Sequence, residues 1–203
     1  MKNFVIFSIF IILFFSGCQK DNSLISSEQN NSTSLQKPVW VVAAEKQGLK
    51  LIALPQSSSI SLEKKTSDTE FIEYDESGKL SIEKNYRSLN SGRVSVEASL
   101  SVQAYSMEQS SYLSMSFSGE FLCFEFGPSG TSFSTPALLN VEAEGLDYST
   151  LTELKTAHLK YFDETKNKWV DTDADEIIVN AREGKFVCKN GKISHFSRYG
   201  FTN

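Results

Sequence analysis

From Arg93 to Val102 apolar and polar residues alternate without a break. Val94, Val96, Ala98, Leu100 and Val102 share one phase, while Ser95, Glu97, Ser99 and Ser101 hold the other. Side chains of a strand point to opposite faces in turn, so this run builds a strand with one apolar face. A helix of the same sequence would scatter the apolar groups around its axis. The stretch is the longest of its kind in the chain, and it predicts a sheet covered on one side only. The rest of the chain must therefore supply a second layer.

Shorter runs supply it. Residues 79–83 follow a turn at Asp75-Glu76-Ser77-Gly78, and strands are predicted over 112–117, 120–126, 137–141, 158–162, 169–170, 176–179 and 185–188. Upstream, Val39 to Ala44 is a continuous apolar run, Glu45-Lys46-Gln47-Gly48 reads as a turn, and Leu49 to Leu54 ends at Pro55. That is a hairpin signature, so residues 38–78 read as an N-terminal β-hairpin extension to a main body of 79–203. Asn190-Gly191 predicts a second tight hairpin, leading into a closing strand that ends near Phe201, because both central residues of such a turn need positive φ. Only the segment Asp147 to Lys155 reads as a short helix, with Asp147 or Ser149 placed to cap it. Many short strands and almost no helix predict an all-β fold, an antiparallel β-sandwich.

The first residues do not fit that body. Lys2 precedes an apolar run from Phe4 to Phe15, broken only by Ser8. The run is short for a membrane span and suits a signal-peptide core. It ends in Phe15-Ser16-Gly17-Cys18, which resembles the lipobox of bacterial lipoproteins. The resemblance implies a signal peptide over 1–17 and a lipidated Cys18 as the mature amino terminus. Several acyl chains on one Cys anchor stably, since each buried methylene contributes roughly 0.8 kcal/mol and a single chain is marginal. Gln19-Lys20-Asp21-Asn22 is similar to short export signals that place lipoproteins on the outer face of the outer membrane. The expected location is thus the outer membrane, lipid-anchored, on the cell surface. From residue 18 to 37 the composition is rich in Ser, Asn, Gln and Thr, which predicts a flexible tether.

The formal net charge of −5 and the lack of a basic cluster argue against nucleic acid or an anionic lipid surface as partner of the domain. With Cys18 used for lipid, Cys123 and Cys188 remain. In an exported domain they either pair as a disulfide or stay as two separate buried thiols. Two cysteines without a CxxC, together with two histidines, make a zinc site a poor fit, and no metal or cofactor is expected.

Two further motifs carry a family resemblance. Phe126-Gly127-Pro128-Ser129-Gly130-Thr131-Ser132-Phe133-Ser134-Thr135-Pro136 places an aromatic strand end before paired turn signals. Downstream come Tyr161-Phe162-Asp163, Lys168-Trp169 and finally His195-Phe196-Ser197. In this order and spacing the segments resemble the ZU-five domain, a β-module of ankyrins, netrin receptors and many bacterial surface proteins, over residues 79–201. The resemblance implies a ZU-five-like sandwich. It also raises self-cleavage, because in some relatives the Phe–Ser bond of the triplet is cut. There the Ser hydroxyl, here that of Ser197, attacks the preceding carbonyl, and His195 would assist proton transfer. The other reading places Phe196 in the core, with His195 and Ser197 making edge hydrogen bonds.

Other patterns carry less. Asp171-Thr172-Asp173-Ala174-Asp175 imitates an EF-hand start, but Glu176 and Arg182 stand where the loop needs Gly and a bidentate acid. Trp40, Tyr161, Trp169 and Tyr199 are candidates for a sugar-stacking platform or for core. No G-x-S-x-G elbow is present. The expectation is a non-enzymatic, membrane-anchored surface lipoprotein whose sandwich mediates protein or cell-envelope contacts, with glycan binding or autoproteolysis at Phe196-Ser197 as alternatives.

Overall fold

A computed structural model describes residues 37–61, 65–90, 92–117, 119–154 and 156–203. The expected signal peptide, Cys18 and the expected tether up to residue 36 lie outside the described residues. In chain order the elements are α1 (Val39–Lys46), β1 (Ser57–Ser61), β2 (Ser67–Ile72), β3 (Gly78–Ser88), β4 (Arg93–Val102), β5 (Ser111–Phe117), β6 (Cys123–Gly127) and β7 (Ser132–Glu144). They continue as α2 (Tyr148–Glu153), β8 (His158–Asp163), β9 (Lys168–Asp171), β10 (Glu176–Asn180), β11 (Lys185–His195) and β12 (Arg198–Thr202).

The strands form two six-stranded antiparallel sheets, ordered β1-β3-β4-β7-β11-β10 and β2-β5-β6-β12-β8-β9. The fold is an all-β sandwich. In β4 the five apolar residues of the alternating run are all buried, and their polar neighbours face out. The main core joins Leu80, Leu100, Leu139 and Ile193 of one sheet with Leu113, Met115, Phe124 and Phe201 of the other. Burial of such side chains contributes roughly 1.5–3 kcal/mol each.

A second apolar cluster lies on the outer face of the β6-β12-β8-β9 region, where α1 docks. This overturns the hairpin expected over 38–54. Val39 to Ala44 reads as strand by its β-branched content, yet Trp40, Val41, Ala43 and Ala44 form one buried helical face against Cys123, Phe162 and Trp169. Tertiary burial overrides a weak local propensity. Gly48 closes the helix at φ 70°, with the Leu49 amide donating to Ala44 O at 2.9 Å and the Gly48 amide to Glu45 O at 3.0 Å. That left-handed cap explains why 45–48 looked like a hairpin turn. Leu51 and Ala53 then make only isolated bridges, to Thr202 and Phe121. Residues 38–78 are also no separate extension, because β1 and β2 edge different sheets, beside β3 and β5.

The second hairpin is corrected too. Residues Lys185–His195 run as one strand through Asn190-Gly191, beside β7. Asn190 has the expected positive φ, 51°, but it serves a bulge: Cys188 faces Val141 while Gly191 faces Leu139. The reversal into β11 occurs instead at residues 181–184, where Gly184 has φ 64°. The short helix is found as α2, after Asp147, although the Asp147 side chain makes no capping bond.

Candidate functional site

Residues 196–197 form the crossover from β11 in one sheet to β12 in the other. This short bridge brings together the two motifs that lie far apart in sequence. Phe196 is buried, stacks on Phe126 at 5.5 Å and meets Phe133 edge-on at 5.0 Å. Its amide donates to Thr131 O at 2.6 Å, its carbonyl accepts from the Gly130 amide at 3.4 Å, and the Phe126 amide donates to Ser197 O at 3.1 Å. The glycine-proline loop thus wraps the backbone on either side of the Phe196–Ser197 bond.

The side chains of Ser197 and His195 are both engaged with β8. The Ser197 hydroxyl donates to Phe162 O at 2.7 Å, tying the crossover to β8. His195 is half-buried and packs edge-on against Tyr161 at 4.6 Å. Tyr199 donates its hydroxyl to His195 O at 2.8 Å, which fixes the backbone just before the triplet. Among the described residues no hydrogen bond joins His195 to Ser197. The triplet reads as a structural clasp between sheets.

The two thiols are free and stay apart. Cys188 belongs to the inter-sheet core, and Cys123 belongs to the cluster under α1. Burial pushes both up to about 12, so both remain neutral thiols at physiological pH; the Arg198 charge opposes this at Cys123. The disulfide reading is therefore set aside in favour of two small hydrophobes.

The acidic turn is bound to its surroundings. Asp175 accepts from Asn190 Nδ2 at 2.9 Å and pairs with Lys192 at 3.0 Å, and these contacts lower its pKa. Asp171 pairs with the buried Lys160. Among the described residues no group of three or more His, Cys, Asp or Glu is placed to hold a metal ion.

Three of the four aromatics considered for a sugar platform are core. Trp40, Trp169 and Tyr199 are buried, and Trp169 donates its indole N–H to Trp40 O at 2.8 Å. Only Tyr161 is partly exposed. Arg198 lies 4.6 Å from the Trp40 ring centroid.

The surface aromatics are elsewhere, and sequence reasoning missed them. Phe71 and Tyr112 face each other across β2 and β5, with centroids 4.9 Å apart. Tyr74 and Tyr105 meet at 6.1 Å in the adjoining loops. They are 51%, 68%, 47% and 70% exposed in that order. One signal was visible: in β5 the apolar phase is Leu113, Met115 and Phe117, which leaves Tyr112 on the opposite face. A separate groove of 580 Å3 lies beside α1, lined by Val41, Leu49, Leu51, Phe121 and Leu154 and rimmed by the Lys37–Glu45 and Lys50–Glu153 ion pairs.

The chain matches no family model, no curated protein and no solved structure.

Proposed function

We propose that this chain is a non-catalytic surface lipoprotein, held at the outer membrane through Cys18, whose ZU-five-like sandwich binds a protein of the cell envelope or its surroundings. The single observation that carries the binding reading is the tip of four exposed rings, Phe71, Tyr112, Tyr74 and Tyr105. Large apolar side chains grouped at one place on a surface mark interaction sites, whereas scattered ones need no explanation. The ZU-five assignment draws its support from the segments around Phe126 and Phe196, which close on each other in the core. A non-enzymatic role fits a Ser197 hydroxyl committed to Phe162 O. The anchor rests on the sequence around Cys18, and the outward-facing location on Lys20-Asp21.

The test is capture from surface-labelled cells by wild type and by a Phe71→Ala/Tyr112→Ala variant. Captured protein that disappears in the variant is the expected result. Equal capture by both proteins overturns the assignment of binding to this tip.

A further inference from the structure

We infer that this aromatic tip takes an extended, basic segment of its partner, with Lys or Arg side chains laid over the ring faces and paired with neighbouring carboxylates. The inference rests on the binding reading above and names the chemistry of the partner.

The argument begins with charge. Residues 66–78 and 103–117 build the tip, and they contain no Lys or Arg. They do contain Asp68, Glu70, Glu73, Asp75, Glu76 and Glu108. Asp68 is buried and engaged, with Lys65 at 2.5 Å and the Ser81 amide donating to it at 2.7 Å. The other five carboxylates are exposed; Glu70 pairs with the buried Leu113 and so projects to the face of β2 opposite Phe71, whereas Glu73, Asp75 and Glu76 neighbour Tyr74 at the turn. Aromatic faces carry negative electrostatic potential, so rings and carboxylates here favour the same kind of ligand, a cation.

Geometry then separates the candidate occupants. Within the pairs the ring planes are inclined by 56° and 77°. They offer no flat shelf for a sugar ring, and they do suit cationic groups that approach from different directions. Among the described residues no ring contact joins one pair to the other, so the four do not converge on one small cation. Phe71 lies in β2 and Tyr74 in the turn that follows it, so the two ring pairs stand side by side and offer separate seats to different side chains of one extended segment. A second copy of this domain would set acid against acid, and nucleic acid or anionic lipid would be repelled in the same way.

The tip is also organised before any partner arrives. Tyr105 sits at φ 61°, an outlier for a bulky residue, and its amide donates to Tyr74 O at 2.6 Å. The Tyr74 amide in turn donates to Ser110 Oγ at 3.0 Å. Backbone strain held in place by such bonds is a mark of a site whose side chain must point one way. A backbone ordered in advance loses less entropy on binding.

The full-length protein in detergent decides the matter by calorimetry against an end-blocked decapeptide of alternating Arg and Ser. The controls are the same peptide with citrulline for Arg, spermine, and a neutral oligosaccharide. Expected are binding of the Arg peptide, at least tenfold weakening by Phe71→Ala/Tyr112→Ala, and a flatter salt dependence in Glu73→Gln/Glu76→Gln. The replaced side chains are exposed, so an unchanged urea midpoint verifies the fold of each variant. Equal affinity for the citrulline peptide, tighter binding of spermine or oligosaccharide, or indifference to the ring substitutions overturns the inference. Ring-dependent capture from cells that excess Arg peptide fails to compete would also overturn it, while leaving the binding reading intact. Capture that ignores the rings removes both.

Discussion

Replacing Trp169 by Ala should test how α1 is held to the sandwich. Trp169 is buried under the helix, beside the rings of Trp40 at 6.3 Å and Phe162 at 5.6 Å, and its indole N–H is bonded to Trp40 O. Removing a large buried ring costs roughly 3–5 kcal/mol, cavity included. The lost hydrogen bond adds about 1 kcal/mol. Against a total stability of roughly 5–15 kcal/mol this is a large fraction. Trp169→Phe keeps most of the ring and should lose only about 1–2 kcal/mol, by the hydrogen bond and part of the packing. Urea unfolding measures both. A second readout is local: Cys123 lies in the same cluster, so loosening α1 should speed its native-state labelling by a thiol reagent, while Cys188 in the inter-sheet core stays protected. A loss below about 1 kcal/mol in Trp169→Ala with unchanged Cys123 labelling would refute the docking argument.

Freshly purified protein should give a single intact mass by denaturing mass spectrometry; a fragment ending at Phe196 and absent from Ser197→Ala would make the triplet autoproteolytic. Cys18→Ser should leave full-length precursor and abolish palmitate labelling, and persistence of the label would disprove lipidation there. Gly145 has φ 75°, and a Cβ on it would lie 2.1 Å from Arg93 O, so Gly145→Ala should lower the urea midpoint markedly, by several kcal/mol in order of magnitude. At Asp68, burial works to raise the pKa, and hydrogen bonds from Lys65 and Ser81 outweigh it, so the net shift is downward. A folded value below the unfolded one stabilises fully above the ordinary carboxylate range and loses that stability as pH falls through the folded value. Stability measured from pH 6 to pH 2 should therefore fall less steeply in Asp68→Asn than in wild type, and parallel curves would contradict this.

The alternating run at 93–102 was legible because its period matches the strand and its buried face needs no partner to be recognised. The helix at 39–46 was not, since Val and Trp favour strands locally and only the apolar surface of the distant β8 and β9 makes the helical face worthwhile. Asn190 shows a subtler failure. The sequence announces a residue able to take positive φ, and it does, but hairpin turn and bulge share that requirement. For the candidate site, the buried fate of Trp40 and Trp169 depends on where α1 lands, which no local pattern records. Tyr74 and Tyr105 lie in loops, where periodicity is silent, and their pairing follows from a contact between segments far apart in sequence.

The place of β12 sets an order on assembly. It is the last strand of the domain in chain order, yet it sits inside its sheet, hydrogen-bonded to β6 on one side and β8 on the other. Until Arg198–Thr202 arrive, β6 and β8 have no shared neighbour, and Phe201 is missing from the core between the sheets. A chain made amino end first therefore holds this sheet in two unjoined parts until its final strand is free to insert between them.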